Sequence, residues 1–121
     1  MYTGGNLTVM VSDFNRAVRF YTETLGLTLK MRAGDGWAEI EAPGVNIGLH
    51  AAGPHGPQPG GAGGMSLGLQ VDDLEAAMAT LRARGVEFAP PTQGEGVRFA
   101  FFHDPDHTPL YLWETKAAGH P

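Results

Sequence analysis

The sequence predicts an α+β fold built from two copies of one βαβββ module. Two similar segments, residues 6–14 and 66–74, begin 60 residues apart. In each segment apolar residues occupy every second position, and an acidic or hydroxyl pair follows them. A helical apolar stripe follows each segment, and three strand-like runs follow each helix. Because 121 residues fit one domain better than two, we interpret the repeats as halves of a single domain. Its predicted parts are module one at 5–51, a linker at 52–64, module two at 65–115 and a tail at 116–121.

The first module opens with a predicted strand and helix. Residues 6–11 alternate between an aliphatic face and a face of mixed polarity. Apolar residues recur from Phe14 to Leu25 at helical spacing, which predicts an amphipathic helix lying on the aliphatic face. We expect Ser12 to cap this helix and Gly26 to end it in a left-handed conformation.

Three further strands complete the first module, and a flexible connection follows. The runs at 27–33, 36–42 and 45–51 are separated by tight turns, which predicts a meander. Residues 52–64 are so rich in glycine and proline that they predict a mobile linker. The linker is long enough for the modules to pair within one subunit or between two.

The second module repeats this order. Residues 65–71 alternate like the first strand, and Asp72 with Glu75 three positions later is typical of a capped helix start. Gly85 is the predicted end of that helix. Three strands are then predicted at residues 86–89, 96–103 and 108–115.

Strand parity sorts the side chains of both modules into two sets. One set is uniformly aliphatic and predicts the core beneath the helices. The other set mixes aromatic rings, methionine, amides and hydroxyls: Asn6, Thr8, Met10, Asn46, His50, Ser66, Gln70, Tyr111 and Trp113, with Trp37 and Glu39 from the meander. We interpret this mixture as the lining of a half-dry ligand cavity. The alternative is a packed subunit interface, where tyrosine and tryptophan are also common.

Composition excludes several classes of function. A net charge of −5 with only 8 basic residues provides no electrostatic footprint for nucleic acid or an anionic membrane. A small neutral or cationic partner is easier to reconcile with that charge. The absence of cysteine rules out disulfides and thiolate zinc sites. Without a leader or an apolar run approaching about 20 residues, we expect a cytoplasmic protein.

The paired module order, the motif at residues 6–27 and the closing motif at 101–112 resemble the vicinal oxygen chelate superfamily. That superfamily includes glyoxalases, bleomycin resistance proteins and extradiol dioxygenases, and the resemblance spans residues 6–115. It implies modules whose sheets curl around a cavity, usually in a homodimer. His107 stands where the family usually has glycine, so we expect a positive φ or an altered turn there.

The family's enzymes hold a divalent metal at cavity-facing positions that match Asn6, Gly48, Ser66 and Tyr111 here. Every matched position departs from the metal-binding pattern, because neutral oxygens are weak ligands and glycine has no side chain. His50 and Glu39 together fall short of the three protein ligands that a catalytic site usually needs. We therefore expect no metal and no other cofactor.

Without a metal, the chain is similar to the antibiotic-binding branch of the family. We predict non-catalytic binding of a planar, partly apolar small molecule, with no catalytic residues. Polar orientation would come from Asn6, Ser66, Gln70 and His50, and stacking from Trp37, Tyr111 and Trp113. Arg98 is either a cavity cation or an edge residue. The alternatives are a lyase, isomerase or dioxygenase with an atypical metal site or a His50/Glu39 acid–base pair, and a simple interaction module.

Overall fold

The computed structural model describes residues 1, 5–54, 58–60, 66–94 and 96–115. The predicted tail and part of the predicted linker lie outside these described residues. The chain divides into two compact units, one of residues 1–61 with 105–108 and one of residues 62–104 with 109–121. Each unit is described by itself.

The first unit contains a four-stranded mixed sheet. Its strands are β1 (Leu7–Val11), β2 (Thr28–Ala33), β3 (Trp37–Ala42) and β4 (Val45–Ala51). They lie in the order β1-β4-β3-β2, with β1 parallel to β4 and the other pairs antiparallel. Helix α1 (Phe14–Arg19) follows β1 and continues as a π-helical turn over Phe20–Thr24.

The second unit has the same arrangement. Its elements are β5 (Leu67–Gln70), α2 (Leu74–Ala83), β6 (Thr92–Gly94), β7 (Val97–His103) and β8 (Pro109–Thr115). The strand order is β5-β8-β7-β6, and the parallel pair is again formed by the first and last strands. The predicted α+β class and the repeated βαβββ order are therefore confirmed.

The N-cap of each helix lies one residue later than the sequence predicted. The carboxylates of Asp13 and Asp73 each accept a hydrogen bond from a backbone N–H in the first helical turn, at 3.1 Å. An N-cap must stand directly before the first helical residue to reach that N–H, so the predicted caps Ser12 and Asp72 are wrong. The Ser12 hydroxyl instead donates to the Asp106 carboxylate at 2.5 Å.

Both helices end at the glycines that the sequence predicted. Gly26 and Gly85 adopt φ values of 78° and 96°, which places both in the left-handed region that terminates helices. His107 has φ 66°, so the predicted positive φ is confirmed there as well.

The strand predicted at residues 86–89 is wrong. That segment is irregular, and the strand that pairs with β7 lies at Thr92–Gly94. The two prolines at 90 and 91 lack an N–H and cannot donate to a ladder, so regular pairing begins only beyond them. Ala89 makes a single backbone hydrogen bond to Phe101 at 3.1 Å.

The core of each unit lies between its helix and one face of its sheet. Leu7, Leu69 and Val71 are half-buried, and the other alternate aliphatic residues that the sequence assigned to the core are buried. They include Val9, Val11, Ile47 and Leu49 in the first unit and Leu67, Leu110 and Leu112 in the second. Among the described residues, no helix has the length and apolar character required to span a bilayer.

Candidate functional site

The face of the first sheet that points away from the buried aliphatic side chains carries most of the predicted site residues of module one. We call it the sheet-1 surface. Strand register places Met10, His50 and Trp37 in one row across β1, β4 and β3, and Thr8, Gly48 and Glu39 in the next. A third row pairs Asn46 with Glu41, and Asn6 immediately precedes β1. Partners in a ladder point to the same side of the sheet, so these residues share one surface.

The indole ring of Trp37 lies over the backbone of Gly48. A Cβ atom placed on Gly48 would lie 2.7 Å from Cζ3 of Trp37 and closer still to Cη2. Real Cβ atoms do not approach ring carbons so closely, so the indole occupies the space that any side chain at position 48 would need. Trp37 itself is half-buried. The result is a flat aromatic surface supported by the sheet.

Two polar side chains flank this ring. His50 lies edge-on to Trp37, with ring centroids 6.1 Å apart and an interplanar angle of 68°. Its Nδ1 is 2.8 Å from the carbonyl oxygen of Ala51. A carbonyl only accepts, so Nδ1 carries the proton and Nε2 of the neutral ring is an acceptor. Glu39 lies in the neighbouring row, with its carboxylate 3.9 Å from Nζ of Lys30.

An open pocket of about 530 Å³ lies at the end of this surface, where β1, β3 and β4 meet the turn between β3 and β4. Its polar side chains are those of Asn6, Glu41 and Asn46. The remaining lining residues are Gly5, Leu7, Ala42, Gly44 and Val45. The volume lies within the range of small-molecule sites.

The corresponding face of the second sheet, which we call the sheet-2 surface, is more aromatic. Register places Gln70 beside Trp113 and Gly68 beside Tyr111. The phenol ring of Tyr111 lies over Gly68, where an added Cβ would lie 2.7 Å from Cε2 of the ring. Each sheet therefore has one glycine covered by one large aromatic ring. Ser66 is exposed and directly precedes β5.

Phe99 and Phe101 also lie on the sheet-2 surface and were missed by the sequence analysis. In the β7–β8 ladder Phe99 opposes Trp113, and Phe101 opposes Tyr111. The rings of Phe99, Phe101 and Tyr111 have mutual centroid distances of 5.8–6.0 Å. Phe101 is 44 % exposed. The register of the hairpin could have revealed both residues, because it sets their parity against Tyr111 and Trp113.

Arg98, for which the sequence left a cavity cation and an edge residue as alternatives, does not lie on the sheet-2 surface. It opposes Glu114 in the ladder and belongs to the helix-facing side of the second sheet. Its guanidinium lies 2.6 Å from the Glu75 carboxylate and 3.6 Å from that of Glu114. The hydrogen bond to Glu75 is the main cause of a raised pKa for Arg98. Glu114 in turn accepts from the backbone N–H of Leu74 at 2.6 Å, so Arg98 belongs to the network at the start of α2 and not to the sheet-2 surface.

The residues at the family's metal-binding positions do not fit a metal ion. Gly48 has no donor and is covered by an indole, and Tyr111 presents a phenol whose ring lies over Gly68. Asn6 and Ser66 are exposed and offer only neutral oxygens, which are weak ligands for transition metals. Within the described ranges, no three His, Cys, Asp or Glu side chains are grouped so that they could hold a metal. The two surfaces offer stacking area and hydrogen-bonding groups, and the pocket beside Asn6, Glu41 and Asn46 adds an open volume.

A family model described as "Glyoxalase/Bleomycin resistance protein/Dioxygenase superfamily" matches residues 5–112. Among solved structures, the chain is similar to TnmS3, an antibiotic binding protein from Streptomyces sp. CB03234. The identity is 30%, the TM-score is 0.75, and the match covers 96% of this chain and 99% of that one.

A glyoxalase/bleomycin resistance protein/dioxygenase from Nocardioides is 27% identical with a TM-score of 0.75, covering 100% of this chain and 88% of its own. The "Uncharacterized protein YaeR" of Escherichia coli K12 is 31% identical over 123 residues, which is 90% of this chain and 93% of YaeR.

Proposed function

The chain belongs to the glyoxalase, bleomycin resistance protein and dioxygenase superfamily, and we propose that within it this protein binds a planar, partly apolar small molecule without a metal and without transforming it. The observation that carries the proposal is the pair of aromatic rings laid over glycines, Trp37 over Gly48 and Tyr111 over Gly68. Trp37 covers Gly48, which matches a position where the family's enzymes place a metal ligand, and Tyr111 itself stands at another such position. At these positions the protein therefore has aromatic rings on which a ligand can stack, whereas those enzymes have metal ligands.

The energetics of stacking support this proposal. An aromatic pair contributes roughly 0.5–1.5 kcal/mol beyond the burial of its area. The sheet-2 surface carries Phe99, Phe101, Tyr111 and Trp113, and the sheet-1 surface carries Trp37 and His50. A dissociation constant of about 1 μM corresponds to a net binding free energy of about 8 kcal/mol, and we expect stacking on two or three of these rings together with apolar burial to supply it.

The similarity to an antibiotic binding protein at 30% identity over nearly the whole chain also supports binding. Polar groups on the same surfaces would orient the ligand. Nε2 of His50 can accept a hydrogen bond, and Gln70 beside Trp113 can donate or accept one. The expectation that the two modules enclose one hollow and that the protein is a homodimer stays a prediction, which ligand-bound crystallography and light scattering would check.

Intrinsic fluorescence is a direct test, because the chain has two tryptophans and they lie on the two surfaces. A panel of flat naphthalene, acridine and flavone compounds is titrated into the protein. At least one compound should change tryptophan emission saturably, at micromolar concentration. The Tyr111→Leu variant keeps both tryptophans and should bind that compound about tenfold more weakly, since it loses about 1.4 kcal/mol of stacking.

Phe20→Leu is the matched control, because Phe20 is a half-buried aromatic residue on the π-helical turn and not on either surface. It should bind as the parent protein does. The proposal fails if no compound in the panel binds, or if Tyr111→Leu and Phe20→Leu weaken binding equally. Recovery of a chemically altered compound would favour the enzymatic alternative instead.

A further inference from the structure

We infer that the pocket formed by Asn6, Glu41 and Asn46 binds a cationic amino group of the ligand, so that the ligand is an aromatic compound carrying a flexible amine. This inference rests on the proposed function and adds the chemical class of the molecule. It concerns the first unit alone, because all residues that line the pocket belong to that unit.

The pocket presents hydrogen-bond acceptors around one negative charge. Glu41 and Asn46 are ladder partners on the sheet-1 surface, and both side chains line the pocket together with Asn6. An ammonium group has three donors and no acceptor, so a carboxylate and two amide oxygens match its requirements. A carboxylate or phosphate ligand would instead face hydrogen-bond acceptors, to which it cannot donate, and a carboxylate with charge of the same sign.

Glu41 differs from its neighbour Glu39 in its ionic contacts. Its neighbour Glu39 lies 3.9 Å from Lys30, whereas none of the described cationic side chains lies within ion-pair distance of Glu41. Among the residues that the structure describes, nothing compensates the negative charge of the pocket, which is therefore available to a ligand. The net charge of −5 adds to the attraction for a cation.

The position of the pocket relative to Trp37 sets the distance between the aromatic ring and the amine of the ligand. The Trp37 indole lies over Gly48, and Gly48 is two residues from Asn46 on β4. Two residues of a strand span about 7 Å. A ring stacked on Trp37 can therefore place an amine in the pocket through a short aliphatic chain, but an amine attached directly to the ring falls short.

Monodansylcadaverine is a suitable probe, because it joins a naphthalene ring to a primary amine through a five-carbon chain. Its N-acetyl derivative has the same ring and chain and no charge. Both dissociation constants are measured from probe fluorescence at low and high salt. The parent protein should bind the amine about tenfold more tightly than the acetylated probe, and this ratio should fall at high salt because the attraction is screened.

Glu41→Gln removes the charge and keeps the shape of the side chain, so the ratio of the two affinities should fall to about one. Glu23→Gln removes an exposed carboxylate on the π-helical turn and should keep the tenfold ratio. Far-UV circular dichroism and thermal unfolding confirm that both variants fold.

The outcomes separate the two proposals. If both probes bind the parent equally, or if Glu41→Gln keeps the preference, the cationic pocket is refuted while metal-free aromatic binding stands. If neither probe binds, and no compound in the wider panel binds, the inference and the proposed function fall together. A preference lost in Glu23→Gln as well would show a general charge effect and would also overturn the pocket assignment.

Discussion

Replacing Gly48 with alanine tests whether the Trp37 ring is held flat on the sheet. The backbone of Gly48 is not in the left-handed region, so alanine introduces no φ strain. Its Cβ would lie 2.7 Å from Cζ3 of the indole, whereas carbon atoms pack best at about 3.5–4.0 Å. Since the obstructing atoms belong to a side chain, we expect the indole to move and the backbone to stay.

The cost follows from the contacts that the displaced ring loses. Overpacking usually costs about 1–3 kcal/mol, and the cost here falls in the lower part of that range because the atoms that must move belong to a side chain. Alanine also reduces the entropy of the unfolded chain, a gain of about 0.4–1 kcal/mol. Gly48→Ala should therefore lower the free energy of unfolding by about 1 kcal/mol.

A double-mutant cycle with Trp37→Ala isolates the contact. Without the indole, Gly48→Ala should be neutral or stabilising by about 0.5 kcal/mol, which gives a coupling energy of about 1–2 kcal/mol. Urea unfolding followed by far-UV circular dichroism measures all four proteins. Gly36→Ala is the control, because nothing lies within 4 Å of a Cβ at that position, and it should have the same small effect with and without the indole. Equal destabilisation by Gly48→Ala in both backgrounds would refute the placement of the ring.

Three further predictions concern other parts of the molecule. Gly68→Ala should push the Tyr111 ring from its position and lower the free energy of unfolding by about 1 kcal/mol, with a loss of near-ultraviolet circular dichroism; an unchanged spectrum would contradict it. Asp73→Ala should destabilise α2 by about 1 kcal/mol in urea unfolding, whereas Asp72→Ala should have little effect, because Asp73 makes the cap. His107→Gly should raise the free energy of unfolding by about 0.5–1 kcal/mol, because glycine tolerates φ 66° without the cost that a Cβ brings; a lower value would show that the His107 side chain contributes more than this strain costs.

Periodicity made the architecture predictable. Alternation along residues 6–11 and 66–71 and the helical stripes that follow them are properties of the local sequence, and they correctly separated the buried aliphatic residues from the opposite face. The helix caps were misplaced because two adjacent residues in each module can cap. Which one does so depends on backbone geometry and, for Ser12, on a competing bond to Asp106.

The site was less predictable, because its features depend on pairing across strands. Phe99 and Phe101 join the sheet-2 surface through the β7–β8 register, which periodicity within one strand does not define. Arg98 lies on the helix-facing side because of its register in β7, and there it meets Glu75 of α2 and Glu114 of β8. The position of the Trp37 indole over Gly48 depends on a side-chain rotamer, about which the sequence carries no signal.

The most direct test of metal-free binding is equilibrium dialysis of the tightest-binding flat compound against protein treated with a chelator, with mass spectrometry of the compound afterwards. We predict saturable binding whose dissociation constant is the same before and after chelation, and recovery of the compound with its mass unchanged. Binding that is lost on chelation and restored by a divalent metal, or recovery of a product of altered mass, would contradict the account.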